Sequence, residues 1–437
     1  MSATSITSPL TLPCGAVLKN RIAKGAMTEG LADSHNMATD KHVKLYGRWA
    51  DGGSGMLLTG NVQVDGRYLE RPGNVVIDGP QSNEKLSALA AFAEAGTRND
   101  THLWMQLSHA GRQTPATVTT EPVAPSAIEV KMPGGQFGKP RALTEEEILD
   151  VIERFAFAAG VAKDTGFSGV QIHAAHGYLI SEFLNPLVNQ RTDQWGGSLQ
   201  NRARLLMDTV KAVREKVGSE FPISVKLNSS DFQKGGFSHS DSIEVAKWLD
   251  EAGLDLLEVS GGNYEQPVMM DTEGFEPVYE EKVRSSTRKR EAYFLEYAAD
   301  IAKAVKNTPL MVTGGFRTVD GMDEALSSGD ADVVGIARPL CVEADLPQQM
   351  MDGKVSEAKK WEKTFRLGPT RFLGPNSPID LFRGLNAWGA QGWYCLQLIR
   401  MGEGLDPDTG ISTFKALRMY MSNEQKAAKA MNAARAA

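Results

Sequence analysis

Cysteine is almost missing from this chain. Cys14, Cys341 and Cys395 are the only three in 437 residues, they lie far apart, and none forms a CxxC pair. A disulfide scaffold and a thiolate zinc or iron–sulfur site are therefore disfavoured, and a reducing compartment is expected. No window approaches the roughly 18 uninterrupted apolar residues of a membrane span. The opening MSATSITSPLTLPCG lacks the basic start and apolar core of a secretory signal, so a cytoplasmic protein is expected. Positive charge is not in excess: Lys and Arg number 47 against 54 Asp and Glu, a net charge of −7. That balance disfavours a general binder of nucleic-acid backbones. Neither GxGxxG behind a first strand nor GxxxxGK[ST] occurs, so a Rossmann-bound dinucleotide and a P-loop nucleotide both lack their signature.

What is present is alternation. Short apolar runs at Arg21–Gly25, Gly55–Val64, His102–Leu107, Gly169–Ala174, Ile223–Asn228, Leu256–Val259, Leu310–Gly314 and Asp332–Ala337 read as eight strands. Amphipathic stretches separate the later ones. Ile148, Val151, Ile152, Phe155 and Ala159 follow helical spacing behind a Thr144-x-x-Glu147 capping box. Leu205, Leu206, Val210, Val213 and Val217 repeat it, and Asp241-x-x-Glu244 is expected to open another helix. Eight strand–helix units predict an α/β fold closed as a (β/α)8 TIM barrel over residues 1–345, with an open doubly wound sheet as the competing architecture. Residues 110–142 form a long Pro-, Gly- and Thr-rich excursion, the kind of loop that usually carries function. Residues 346–437 hold Trp361, Trp388, Trp393, Tyr394 and an Ala/Lys/Met-rich helical end. They are expected to be a C-terminal extension packed on the barrel or on a neighbouring subunit, and a homo-oligomer is left open.

Strand phase then selects side chains. Val170 and Ile172 share one face, and Gln171 and His173 the other; Val225 and Leu227 oppose Ser224, Lys226 and Asn228. Trp104, Gln106 and Ser108 alternate with Leu103, Met105 and Leu107. Gln106, His173 and Lys226 are thus expected to converge at the C-terminal end of the strands, where such barrels place their active sites. Gly314-Gly315 after strand seven and Ala337-Arg338 after strand eight suit a phosphate, with Phe316-Arg317 beside them. His173-Ala-Ala-His176-Gly-Tyr178 resembles a metal pair only superficially: helical metal pairs use i, i+4 spacing, and no third ligand is near in sequence. Two imidazoles and a phenol instead offer hydrogen-bond donors and a proton source for a carbonyl substrate.

These motifs together resemble the old yellow enzyme family of FMN-dependent NADH:flavin oxidoreductases over about residues 8–345. The resemblance rests on Leu18-Lys-Asn-Arg-Ile22, on Gln106-Leu-Ser-His-Ala-Gly-Arg112, and on the run from Ile172 to Tyr178. It continues through Glu182-Phe-Leu-Asn-Pro186, Asn189-Gln-Arg-Thr-Asp193, Gly196-Gly-Ser198 and Asn201-Arg202. It implies a tightly bound, non-covalent FMN. Gly25, Ala26, Met27, Thr28, Gly60 and Gln106 would lie against its ring, Lys226 would face the N1/C2 edge, and Gly315, Phe316, Ala337 and Arg338 would hold its phosphate. It also implies that His173 and His176 bind a substrate carbonyl and that Tyr178 donates a proton. Soluble NADH or NADPH would be the reductant and an unsaturated carbonyl compound the substrate. Three positions depart from the family pattern. Lys226 stands where many members carry Arg, Ala337 where Gly is common, and Gly30 where some place a substrate-lining Tyr, which predicts a more open pocket. The rival readings are an FMN-dependent dehydrogenase or demethylase using another acceptor, a barrel that binds a phosphorylated ligand without redox chemistry, and a flavin-carrying interaction protein using the Trp-rich C-terminal segment.

Overall fold

The computed structural model describes residues 4–132, 135–266, 279 and 294–436. Its central sheet consists of β1 (Ile22–Lys24), β2 (Met56–Leu58), β3 (His102–Ser108), β4 (Gly169–Ala174), β5 (Ile223–Asn228), β6 (Leu256–Ser260), β7 (Leu310–Thr313) and β8 (Val333–Ile336). Every neighbouring pair is parallel. The register runs from Ala23↔Met56 through Gln106↔Gln171, Lys226↔His173, Lys226↔Glu258 and Met311↔Val333, and returns from Gly335 to Ala23. The sheet closes on itself, so the barrel is realised and the open sheet is not. The expected Gly55–Val64 strand divides in two, β2 and a short piece, Val62–Gln63, that pairs with Leu107 and Ser108.

The helices Asp40–Ala50 (α1), Asn83–Gly96 (α2), Glu145–Asp164 (α3), Leu199–Val217 (α4), His239–Glu251 (α5), Leu295–Ala302 (α6) and Val319–Ser328 (α7) lie between strands. The capping box of α3 forms as expected, with Thr144 and Glu147 each accepting from the other's backbone N–H. The next expected start is corrected. Ser238, not Asp241, caps α5, because its Oγ accepts the Asp241 N–H at 3.1 Å and the helix begins earlier. Beyond the barrel come a short helix, Leu346–Met351 (α8), and two long ones, Asp380–Gly402 (α9) and Thr413–Ala436 (α10). Ion pairs Lys41–Glu403 (3.0 Å) and Arg48–Asp406 (2.7 Å) fasten the end of α9 to α1. No described helix is long and apolar enough to cross a membrane.

Two apolar layers result from the strand alternation. Outward residues such as Ile22, Val170, Ile172 and Val225 pack beneath the helices. Inward Ala23, Met56, Leu58, Trp104, Leu256, Met311 and Val333 form a separate cluster with Leu12 and Leu18 from the N-terminal hairpin, which floors the barrel. Above that dry floor every inward position on β3–β6 is polar.

Candidate active site

Lys226 is buried inside the barrel, and Glu258 meets it from the adjacent strand at 3.0 Å. The other Glu258 carboxylate oxygen accepts from Gln171 Nε2 at 2.8 Å, and Gln171 Oε1 accepts from Gln106 Nε2 at 2.7 Å. Parallel register makes these residues neighbours on one face, so one polar chain crosses the interior from β3 to β6. Gln106, Gln171 and Lys226 were expected to point inward. Glu258 was missed, although it occupies the inward phase of Leu256–Ser260.

His173 continues the Gln171 row at the rim. Its Nδ1 accepts the Ala175 N–H at 3.2 Å, which places the proton of the neutral ring on Nε2. His176 sits in left-handed backbone (φ +64°), with its Nε2 2.7 Å from Ser260 Oγ and its N–H on Asn228 Oδ1. The two rings lie 5.1 Å apart, and the Tyr178 ring lies 4.8 Å from His173. Burial, with Lys226 close by, holds both imidazoles well below the ordinary histidine range, so they are neutral donors. Burial, then Tyr264 and Glu70, push the Tyr178 phenol well above its usual value, so it stays protonated. The expected trio therefore comes together. One Nε2–H on His173 remains directed away from the backbone, whereas His176 already uses its Nε2 on Ser260.

The loop after β1 is more heavily engaged than its sequence suggests. Gly25 N–H bonds Ile336 O at 2.8 Å, linking the loop to β8, and Met27 Sδ lies 3.3 Å from Cys341 Sγ. Ala26 packs on the barrel-floor cluster. Thr28 Oγ1 donates to Glu70 at 2.8 Å, so its proton is directed to a carboxylate. The Gly60 N–H donates to Glu29 at 2.9 Å, and Tyr46 binds the same carboxylate. The expectation of an open pocket at Gly30 is corrected. Arg71 fills that space, and a Cβ on Gly30 would stand 2.6 Å from its guanidinium carbon. Arg71 also donates to Thr28 O at 3.2 Å, pairs with Glu424 of α10 and lies over the Tyr420 ring.

At the opposite end of the site, Gly314 and Gly315 adopt φ +107° and +91°, leaving a bare backbone turn after β7. Phe316 is buried, Ala337 precedes the turn Arg338–Cys341, and Thr313 Oγ1 is a buried polar atom with no partner among the described residues. Arg317 is committed elsewhere, to Phe316 O and to Glu362 at 2.8 Å. Arg338 stands 3.8 Å from that carboxylate and is the more exposed of the two. A bare-glycine turn, an unpartnered hydroxyl and a partly free guanidinium fit a phosphate monoester. The neutral imidazoles and the Gln106–Lys226 chain fit the polar edge of a flavin ring. Among the described residues no cluster of His, Cys, Asp and Glu suits a metal ion.

A closed parallel barrel with this set at the C-terminal ends of its strands defines a flavin-dependent oxidoreductase. The chain belongs to the NADH:flavin oxidoreductase / NADH oxidase family, whose match spans residues 5–357. It is 38% identical to the NADH-dependent flavin oxidoreductase iliE of Hypocrea jecorina over 360 residues, 78% of this chain and 88% of that protein. It is also 38% identical to the iliE protein of Neonectria sp., covering 78% of this chain but only 46% of that longer one. The old yellow enzyme homologue of Zymomonas mobilis superposes with a TM-score of 0.67 at 26% identity, over 84% of this chain and 97% of that one.

Two outcomes follow for stability. Glu258→Ala strands a buried ammonium and should cost about 3–5 kcal/mol, whereas the double change Lys226→Met with Glu258→Leu should cost much less; urea unfolding of the three proteins checks this. The melting temperature should peak near pH 6.5. Burial lowers His109 to about 4 and depresses His173 and His176 as well, so below the ordinary value of 6.5 the unfolded chain takes up protons that the folded one refuses. Burial raises Glu182 from 4.5 to about 8 and Asp231 from 3.8 to about 7, so the fold retains protons that the unfolded chain has already released near pH 4; this loss of stability runs up to about pH 7–8 and, once the histidine gain ends at 6.5, is left unopposed by it. Glu182→Gln should flatten the alkaline decline, read by calorimetry across pH.

Proposed function

We propose that this chain reduces the activated C=C bond of an α,β-unsaturated carbonyl compound at the expense of NADH or NADPH. The observation that carries the reading is the rim trio: two neutral imidazoles and a protonated phenol within ring-contact distance, above the Lys226–Glu258 pair. Residues 1–345 would form the FMN-binding barrel and residues 346–437 an extension fastened to it. Gly25, Ala26, Met27, Thr28, Gly60, Gln106 and Lys226 would hold the ring, and Gly315, Phe316, Ala337 and Arg338 the phosphate. When bound, FMN would supply the hydride-transfer chemistry that links a nicotinamide to the β-carbon of the alkene. The names of relatives, NADH-dependent flavin oxidoreductase and NADPH dehydrogenase, support a nicotinamide reductant.

The chain's own part is positional and electrostatic. His173, donating from Nε2, and His176, donating from Nδ1 while its Nε2 accepts the Ser260 hydroxyl, hold the carbonyl oxygen and stabilise the charge that gathers there as the β-carbon accepts hydride. A neutral imidazole suits this role, because it donates without forming an ion pair with the product. Tyr178 gives its proton to the α-carbon. The ammonium of Lys226 is shared with Glu258, so it presents less net positive charge to a reduced ring than an unpaired cation would.

Purified protein should be yellow and should release FMN on denaturation. Rapid mixing with NADH or NADPH should bleach it, and slow bleaching by both would favour a dehydrogenase using another acceptor. Tyr178→Phe should leave that reduction unchanged and slow reoxidation by a cyclic enone by about 10²–10⁴-fold. Reoxidation by a quinone, which needs no protonation at carbon, should be spared. Wild-type enone rates in the folded variant would remove Tyr178 from the reaction.

A further inference from the structure

Tyr178 is a poor proton donor in isolation. It is 5% exposed, and once its proton has gone the phenolate left behind sits in a buried pocket away from water. Among the described residues its oxygen has two hydrogen-bond partners: Asn61 Nδ2, which donates at 3.4 Å, and the hydroxyl of Tyr264 at 2.8 Å. Tyr264 lies on the loop that follows β6, at the same end of the barrel, and is only half-buried, whereas Tyr178 is buried. The two rings stand edge to face with centroids 5.9 Å apart.

The loop is braced for this placement. Asn263 Oδ1 accepts the N–H groups of Glu265 and Gln266, each at 2.9 Å. Glu265 pairs with the buried Arg112 at 2.6 Å, tying the loop to the segment that follows β3. Gln113, next to Arg112, accepts the Tyr264 N–H at 3.4 Å.

We propose that Tyr264 is the positioning residue of the proton-transfer step: it orients the Tyr178 proton toward substrate and then replaces it. This rests on the reading of Tyr178 as the acid. A phenol has one proton and two lone pairs. With Asn61 donating to one lone pair and, in the proposed orientation, Tyr264 to the other, the Tyr178 proton has no acceptor among the described residues and is left for the substrate. In the transfer, the Tyr178 O–H bond breaks as a C–H bond forms at the α-carbon. The Tyr264 proton then moves to the Tyr178 oxygen, and water returns a proton to Tyr264. No electrons move in the relay, and one proton is drawn from water per turnover. Burial, first among the causes, also holds the Tyr264 phenol well above its usual range, so it is protonated when the transfer begins.

The test compares FMN-loaded wild type, Tyr178→Phe and Tyr264→Phe, with reduction by NAD(P)H, reoxidation by a cyclic enone and reoxidation by a quinone measured separately. Tyr264→Phe should slow enone reoxidation about tenfold, less than the loss of Tyr178 itself. Nicotinamide and quinone steps should be unchanged. Enone reoxidation rates measured in mixtures of H2O and D2O should curve with deuterium fraction in wild type, because more than one proton is in flight, and become linear in Tyr264→Phe. If Tyr264→Phe matches wild type in rate and curvature while Tyr178→Phe is slow, Tyr264 has no part in the transfer and the acid assignment stands alone. If enone and quinone rates fall together, Tyr264 only shapes the pocket and the proposal is overturned. A normal enone rate in Tyr178→Phe defeats the underlying reading instead.

Discussion

An ammonium group enclosed by eight strands is the constraint around which this barrel is arranged. Lys226 is buried, and an ammonium cannot be desolvated alone without a cost of several kcal/mol. The parallel register supplies the answer, because Lys226 and Glu258 are direct partners on β5 and β6 and share a face. A buried carboxylate needs more than one partner, so Gln171 binds its second oxygen, and Gln171 in turn needs Gln106. One charge thus dictates polar inward residues on four consecutive strands. The floor beneath can then be wholly apolar, since Trp104, Leu256, Met311 and Val333 bury no polar group that lacks a route upward. The rim trio stands on this middle layer: His173 is the register partner of Lys226, and Ser260, which holds His176, follows Glu258 by one inward step.

Much of this was legible because strand phase is a strict code. Residues two apart share a face, and that alone placed Gln106, Gln171, His173 and Lys226 inside. Glu258 obeys the same code, but in Leu-Leu-Glu-Val-Ser the apolar neighbours make the run read as a plain buried strand. An inward carboxylate there should have been expected once Lys226 was put inside, since the cation demands one. The α5 start was misread for a related reason: Ser238 and Asp241 both suit a cap, and spacing cannot choose between them. Contacts made by loops carry no periodic signal at all. Arg71 against Gly30, Glu70 on Thr28 and Tyr264 on Tyr178 all join segments distant in sequence, and none can be found by phase.

The Gly30 case shows why a single position is a poor guide to pocket shape. The absence of a side chain predicts space only if nothing else enters it. Here a guanidinium enters, and it does so fully paired: Glu424 neutralises it, Tyr420 stacks beneath it, and Thr28 O accepts from it. Both Tyr420 and Glu424 belong to α10, beyond residue 357 where the family match ends. The substitution at Gly30 is therefore intelligible only with the C-terminal helix in place.

The same region reaches the other end of the site. Glu362 binds Arg317 and approaches Arg338, and the Tyr394 hydroxyl donates to its second oxygen at 2.9 Å. Two carboxylates from outside the family match thus neutralise one arginine at each end of the site. The effect on charge is selective. Arg317, with Phe316 O and Glu362 as partners, has little capacity left for an anion, whereas Arg338 lies too far from Glu362 for a hydrogen bond and keeps its donors available. An anionic group arriving at the Gly314–Gly315 turn would therefore find one guanidinium and the backbone amides, not two competing cations. That arrangement ties the geometry of the anion end to a segment that sequence comparison alone would have treated as an appendage.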